Sequence, residues 1–229
     1  MRVFDFILNL LFPPRCVSCK KEGEFLCKDC IKQFSIFNLQ FSKKKPKDAQ
    51  KEWKYMDGVI YALDYAENPQ IQAAIQQFKY RFTKELAEYF GDLIAQKLGE
   101  LSMNKGKTNI LIPVPLHKKR LNYRGFNQAE LIAKSVCEKV GDSRISHLLK
   151  RVKNTSQQAK LNKKERHENL EDAFILESGL AHESGLQNAV YFIVDDVCTT
   201  GSTLENCAKV LKESGLQKVY GLVVARAFK

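Results

Sequence analysis

Three mainly apolar runs set the frame of this chain: Asn109 to Val114, Val190 to Val194 and Val219 to Ala225. Each is short, rich in β-branched residues, and lacks the polar alternation of a strand with one wet face. Strands covered on both sides read this way. Gly58 to Tyr65 is a fourth strand candidate, carrying Val59, Ile60, Tyr61 and Leu63. Between these runs the apolar period changes to that of a helix. Ile71, Ala74, Ile75 and Phe78 share one face of a segment that starts near Asn68-Pro69. Leu86, Ala87, Phe90, Leu93, Ile94 and Leu98 do so after Thr83. Ala129, Leu131, Ile132 and Val136 mark a helix over Gln128 to Val140. Leu204, Ala208 and Leu211 mark another that stops at Gly215, a residue suited to the left-handed turn after a helix. Strands alternating with helices predict a Rossmann-like α/β domain with a parallel sheet, from about residue 52 onward. The pattern leaves the strand order open.

The run at Val190 to Val194 leads directly into Asp195 and Asp196, then into Thr199-Thr200-Gly201-Ser202-Thr203 and a helix. In a β-loop-α-β unit, ligands bind at the carboxyl end of the strand. A loop of small hydroxylated residues there presents backbone N–H groups at a helix start, which is an anion site. Carboxylates beside such a cradle suit ribose hydroxyls, or a hydrated Mg²⁺ held partly by substrate phosphates. After Pro113-Val114-Pro115, the second run enters a segment dense in donors: His117, Lys118, Lys119, Arg120 and Arg124, followed by Gly125-Phe126-Asn127-Gln128. Read as a cationic loop, it would meet the first site across one ligand and neutralise a leaving polyphosphate.

Cys16-x-x-Cys19 and Cys27-x-x-Cys30 are two cysteine pairs seven residues apart, with Gly23 in the turn between them. Two such pairs close a tetrahedral Cys₄ site around Zn²⁺, with no coordination position left for chemistry. The metal therefore stabilises a small module. A disulfide framework is the competing reading and needs an oxidising compartment. Cys137 and Cys207 fall in helical patterns as ordinary buried thiols. Cys198 either fills an interior position or reacts through a lowered pKa.

The chain has 229 residues and is 44% hydrophobic, enough for one full core and a small accessory module. Its net charge of +11 is concentrated. Residues 113–170 carry 14 Lys and Arg against 5 Asp and Glu, which favours a polyanion or a phosphorylated ligand over an evenly solvated surface. Phe41 to Trp53, with Lys43, Lys44, Lys45, Pro46, Lys47 and Lys51, reads as an exposed linker. The basic stretch Lys150 to Asn169 fits a mobile flap over a charged site, or an ordinary solvated hairpin. Met1 to Pro14 is apolar but holds Asp5 and lacks a basic leader; it reads as a packing or docking helix, too short to span a membrane. Gly106-Lys107-Thr108 imitates the end of a phosphate-binding P-loop, but Leu101 stands where that motif needs its first glycine. His147, His167 and His182 have no metal-ligand company, and His117 alone lies in a suspect segment.

Taken together, these residues resemble the ComF family of phosphoribosyltransferase-like proteins. Asp195-Asp196-Val197-Cys198-Thr199-Thr200-Gly201-Ser202-Thr203 is similar to the 5-phosphoribosyl-1-pyrophosphate (PRPP) loop of type I phosphoribosyltransferases. Pro113 to Arg120, Arg124 to Gln128, Phe78-Lys79-Tyr80 and the run from Arg151 through Thr155, Gln158 and Arg166 to Asn169 resemble stretches of ComF proteins. The four cysteines resemble their zinc ribbon. Cys198 departs from the aromatic or aliphatic residue common there. The resemblance implies that residues 1–51 form the N-terminal helix, zinc ribbon and basic linker, and residues 52–229 a type I phosphoribosyltransferase domain. It implies that Asp195 and Asp196 hold ribose hydroxyls, directly or through Mg²⁺, that Thr199 to Thr203 wrap the 5′-phosphate, and that His117 to Arg120 with Arg124 meet pyrophosphate. It further implies a cytoplasmic protein of natural transformation, handling single-stranded DNA at the inner face of the membrane beside a helicase-like partner.

Three functions compete at this point. The first is a DNA-uptake protein that binds PRPP with Mg²⁺ and single-stranded DNA. The second is a metabolic phosphoribosyltransferase (pentosyl transfer to a base or amine), for which neither a general base nor an acceptor can be read. The third is a non-catalytic adaptor that docks a partner through its zinc module and basic flap.

Overall fold

The computed structural model describes residues 13–30, 53–66, 68–80, 84–101, 106–153, 172–177 and 188–227. Most of the expected N-terminal helix, of the lysine-rich linker and of the 150–169 stretch lies outside them. From residue 53 onward the order is β1 (Gly58–Asp64), α1 (Pro69–Tyr80), α2 (Leu86–Leu101), β2 (Thr108–Pro113), α3 (Lys118–Arg124) and α4 (Gln128–Lys139). Then come β3 (Ser143–Ile145), β4 (Leu149–Arg151), β5 (Phe174–Leu176), β6 (Ala189–Cys198), α5 (Ser202–Glu213) and β7 (Val219–Arg226). Five strands form one sheet in the order β1-β7-β6-β2-β3, and every pairing in it is parallel. The α/β fold class expected from the alternating pattern is the observed one.

Helices cover both sheet faces, and side-chain alternation along β6 divides the core accordingly. Phe192 and Val194 point to the side where Ile71, Phe78, Phe90, Ile94 and Ile132 pack. Tyr191 and Ile193 point to the side of Leu204, Cys207, Ala208 and Leu211 from α5. All of these are essentially buried, and each large aliphatic or aromatic side chain so placed stabilises the fold by about 1.5–3 kcal/mol. The seam between α2 and α4 is unusually close. A Cβ added at Gly91 would lie 2.1 Å from Ser135 Oγ, so nothing larger than glycine fits without moving a helix. Ser135 Oγ donates to the Glu88 carbonyl at 3.3 Å, and Lys139 Nζ donates to Ser135 Oγ at 3.0 Å.

Strand order fixes where a ligand can sit. From β2 the chain moves outward to β3; from β6 it moves the other way, to β7. Adjacent strands whose connections diverge leave a crevice at their carboxyl ends, here between β2 and β6. The two strands pair from Thr108↔Ala189 to Pro113↔Val194 and then part. Pro113 and Pro115 explain the parting, since neither can donate to a continuing ladder. β6 runs on beside β7 through Asp195↔Val223 and Cys198↔Arg226. The run expected to end at Val194 is thus a longer strand, and both carboxylates belong to it rather than to the loop.

Two further expectations change. The segment after His117 is helix α3, not a loop. His117 is its N-cap, with Nδ1 accepting from the Lys119 N–H at 3.3 Å. The start of the 150–169 stretch is ordered as β4, paired antiparallel with β5 from Leu149↔Leu176 to Arg151↔Phe174.

Candidate functional site

Because β6 alternates, Asp195 and Asp196 project to opposite faces of the sheet. Asp196 turns toward α1, where its Oδ1 meets Lys79 Nζ at 3.0 Å; its side chain is 7% exposed and that of Lys79 15%. Burial alone would lower the Lys79 pKa, but the charges of Asp196 and Asp195 overcome this and raise it. Lys79 stands in the last turn of α1. The crossover from β1 to β2 uses two helices, and α1 ends beside the tip of β6 while α2 makes the return. Lys79 was quoted above only for its resemblance and not as a site residue; a single crossover helix would have put it elsewhere.

Asp195 is partly buried and turns toward α5. Its carboxyl is pushed up to about 7, first by burial and then by the Asp196 charge; Lys79, the Asp196 N–H and Arg151 oppose the shift without cancelling it. The Asp196 N–H donates to Asp195 Oδ1 at 2.9 Å. Burial drives the Cys207 thiol, on the α5 side, well above its ordinary value, and the Asp195 charge adds to this. Cys198 is likewise buried, in keeping with the interior-facing reading.

Past the strand, Gly201 takes φ 77°, a left-handed conformation that favours glycine, and occupies the N-cap of α5 with no side-chain cap. Thr200 and Ser202 hydroxyls lie 2.9 Å apart, and the Ser202 N–H donates to Thr200 Oγ1 at 3.4 Å. Asn206 Nδ2 donates to the Ser202 carbonyl at 2.9 Å, fixing the first turn. Thr199 is exposed and Thr203 half-buried. An uncapped α5 start ringed by hydroxyls suits a phosphate.

Across the crevice, α3 divides its cations by face. Lys118 and Lys119 are exposed, Arg120 is half-buried and Arg124 is buried. Arg124 Nη1 donates to Gln128 Oε1 at 3.0 Å, and Gln128 Nε2 donates to the Phe78 carbonyl at 3.4 Å. This chain of bonds ties α3, α4 and the end of α1 into one wall. Gly125 closes α3 in the left-handed conformation, and Asn127 caps α4 while donating to the Val114 carbonyl at 3.0 Å. Arg151 joins from β4, its guanidinium 5.2 Å from the Phe174 ring centroid. Its pKa is lowered, first by burial and then by Arg120, with Arg124 adding and Asp195 opposing. Arg151 therefore senses Arg120, Arg124 and the Asp195 carboxylate, and Asp195 in turn senses Arg151. Arg151, assigned above to a flap, enters the crevice by the β4–β5 pairing, a long-range contact that no local pattern signals.

The cysteine cluster is separate in sequence and chemistry. The Sγ atoms of Cys16, Cys19, Cys27 and Cys30 all lie within 4.8 Å of one another, and Cys19 and Cys27 are 3.6 Å apart. Four ligands at about 2.3 Å from one Zn²⁺ need such spacing. Burial raises the Cys16 thiol, but N–H groups of Cys27, Cys19 and Ser18 outweigh it and bring it to about 6. Donors aimed at sulfur are the second-layer contacts that a thiolate–zinc centre uses. An Arg15–Glu22 bridge and the Cys16 N–H to Lys21 carbonyl bond, 2.8 Å, hold the first turn. The set fits structural zinc, and a double zinc ribbon domain matches residues 7–41.

The comparison that decides the lineage is with DNA utilization protein YhgH of Salmonella typhimurium. It is 32% identical over 166 residues, covering 70% of this chain and 68% of that protein. The chain belongs to the ComF family. Competence protein F of Haemophilus influenzae is 29% identical over 233 residues, 93% of this chain and 97% of the relative. Competence protein ComFC of Bacillus subtilis is 30% identical over 151 residues, 66% of this chain and 57% of the relative. Among the described residues, no helix is long and apolar enough to cross a membrane.

Proposed function

We propose that this ComF-family chain serves DNA uptake, binding PRPP with Mg²⁺ in the β2–β6 crevice and single-stranded DNA on its basic surface. One observation carries the ligand reading. At a topological switch point, Asp195 on β6, just before the hydroxylated loop, lies within electrostatic reach of Arg151, which also senses Arg120 and Arg124. A ligand with a phosphate at one end, hydroxyls in the middle and pyrophosphate at the other matches that order of charges. In this reading Thr199, Thr200, Gly201, Ser202 and Thr203 hold the 5′-phosphate and Arg120 and Arg124 meet the pyrophosphate, while the exposed Lys118 and Lys119, expected to join them, stand on the outward side of α3. His117 contributes by capping α3. Asp196 is already engaged by Lys79, so its remaining oxygen suits a hydroxyl. Asp195 is the carboxylate that fits a hydrated Mg²⁺, a hard cation that keeps water and takes one or two carboxylates. When bound, the ion would screen pyrophosphate charge.

The test is a thermal melt with and without PRPP–Mg²⁺. Ligand at a hundredfold excess over its Kd stabilises by about 2.7 kcal/mol, and an unmoved melting temperature overturns the ligand reading. For the nucleic-acid half, affinity for an oligonucleotide should fall steeply with salt. No binding at low salt overturns it.

A second reading is favoured by one observation. A carboxyl near 7 has the proton affinity of a general base at neutral pH, and Asp195 is such a group. Transfer of the phosphoribosyl group to an acceptor would then release pyrophosphate, measured over a panel of bases and amines. No release with any acceptor would remove this reading and leave ligand binding alone.

A further inference from the structure

The outward face of α3 is left over once the crevice is explained. Arg120 and Arg124 stand four residues apart and turn inward. Lys119 and Tyr123, also four apart, turn outward with Lys118 and Asn122. Tyr123 is 75% exposed, the most exposed large hydrophobic side chain among the described residues. Leu121 beside it is 40% exposed. α3 carries no acidic residue at all. Burying a tyrosine is ordinarily favourable, and leaving one standing among lysines is a marked arrangement.

From this face we propose that Tyr123 is a base-stacking platform for single-stranded nucleic acid, with Lys118 and Lys119 on the adjoining phosphates. The proposal rests on the nucleic-acid half of the function above and gives it a location. An aromatic face flanked by lysines is what a strand with unstacked bases requires: the ring takes a base, the ammonium groups take the backbone. Asn122 can add a hydrogen bond to a base edge. A duplex keeps its bases paired and stacked, so it gains only the lysine contacts. A protein surface would call for a broader apolar rim, and among the described side chains of α3 only Leu121 supplies one. Since the same seven-residue helix turns Arg120 and Arg124 into the crevice, strand and phosphoribosyl ligand would lie on opposite faces of one element.

The experiment is a fluorescence titration of the full chain with an oligothymidylate, an abasic strand of equal length and a duplex. Tyr123→Ala is expected to weaken single-strand binding about tenfold or more while Tyr123→Phe, which keeps the ring face, binds like the parent. The abasic strand and the duplex should bind the parent and the Ala variant alike. Lys119→Gln should reduce the salt slope by about one. The PRPP–Mg²⁺ thermal shift should persist in Tyr123→Ala, which also shows that the variant is folded. Unchanged oligothymidylate binding in Tyr123→Ala overturns the platform while leaving DNA binding in place, and hands the patch to a protein or lipid surface. Equal weakening by Tyr123→Phe overturns stacking in favour of a hydroxyl contact. If the parent chain binds no oligonucleotide, the platform and the nucleic-acid half of the function fall together.

Discussion

The cysteine cluster and the crevice use charge in opposite ways. In the cluster, four thiol groups from two neighbouring turns converge to within 4.8 Å, so a single cation satisfies them all and nothing is left to bind. In the crevice, charge of both signs comes from several elements: Asp195 and Asp196 on β6, Lys79 on α1, Arg120 and Arg124 on α3, and Arg151 on β4. Arg151 and Asp195 each shift the other's pKa, and Lys79 pairs directly with Asp196. The first arrangement closes on one ion and stabilises a module; the second gathers its charges from distant parts of the chain. What separates the two is how far along the chain the charges are brought together.

The sharpest way to break that contrast is to open the closed site. Cys27→Ser, or a strong chelator, should release the metal and unfold the ribbon, at a cost of several kcal/mol. Zinc content and a melting curve followed together check this; a ribbon that melts unchanged without zinc contradicts a structural role. Next in size is the Lys79–Asp196 pair in the crevice. Lys79→Met leaves a buried carboxylate uncompensated and should cost about 3 kcal/mol, much of it recovered in Lys79→Met combined with Asp196→Asn. Additive losses in that double-mutant cycle would show that the two groups do not support one another.

A smaller effect probes Asp195. The folded chain keeps the Asp195 proton up to about 7, whereas an unfolded aspartate releases it near 3.8. Between those values the folded state binds more protons, so stability falls as pH rises through this window and then levels off. Asp195→Asn should flatten the decline and stabilise the ligand-free protein by about 1 kcal/mol or more at pH 8, as read by chemical denaturation at several pH values. A decline that persists in the variant assigns it to another group. Smallest of all, Arg120→Ala should leave stability within about 0.5 kcal/mol, because its side chain is half-buried and not part of the core. Its effect belongs in PRPP affinity, about tenfold weaker for one lost charge-assisted contact in a titration.

How far the two sites were legible follows from how each is assembled. The cysteines lie within fifteen positions, so their spacing alone specifies the cluster. The β6 half of the crevice is nearly as local, since strand, carboxylates, glycine turn and helix follow one another along the chain. The opposing wall is not. Lys79 reaches Asp196 because the first crossover contains two helices, and Arg151 arrives through pairing with a strand more than twenty residues away. His117 appeared as a donor in a loop and is a helix cap, because capping and ligand binding draw on the same side-chain chemistry. The continuation of β6 through Cys198 escaped the apolar pattern for a similar reason: a half-buried and a buried acid, Asp195 and Asp196, interrupt the hydrophobicity without interrupting the backbone.

The glycine at the α2–α4 seam has a reach beyond its own contact. α4 carries Gln128, and Gln128 holds Arg124, so the spacing of two helices bears on the position of a cation about two turns along α4 from the seam. Gly91 thus acts as a tolerance in the engineering sense: the error admitted at the seam becomes the error at the crevice wall. A single methyl group there would register as a misplaced guanidinium, and changes in ligand affinity need not begin anywhere near the ligand.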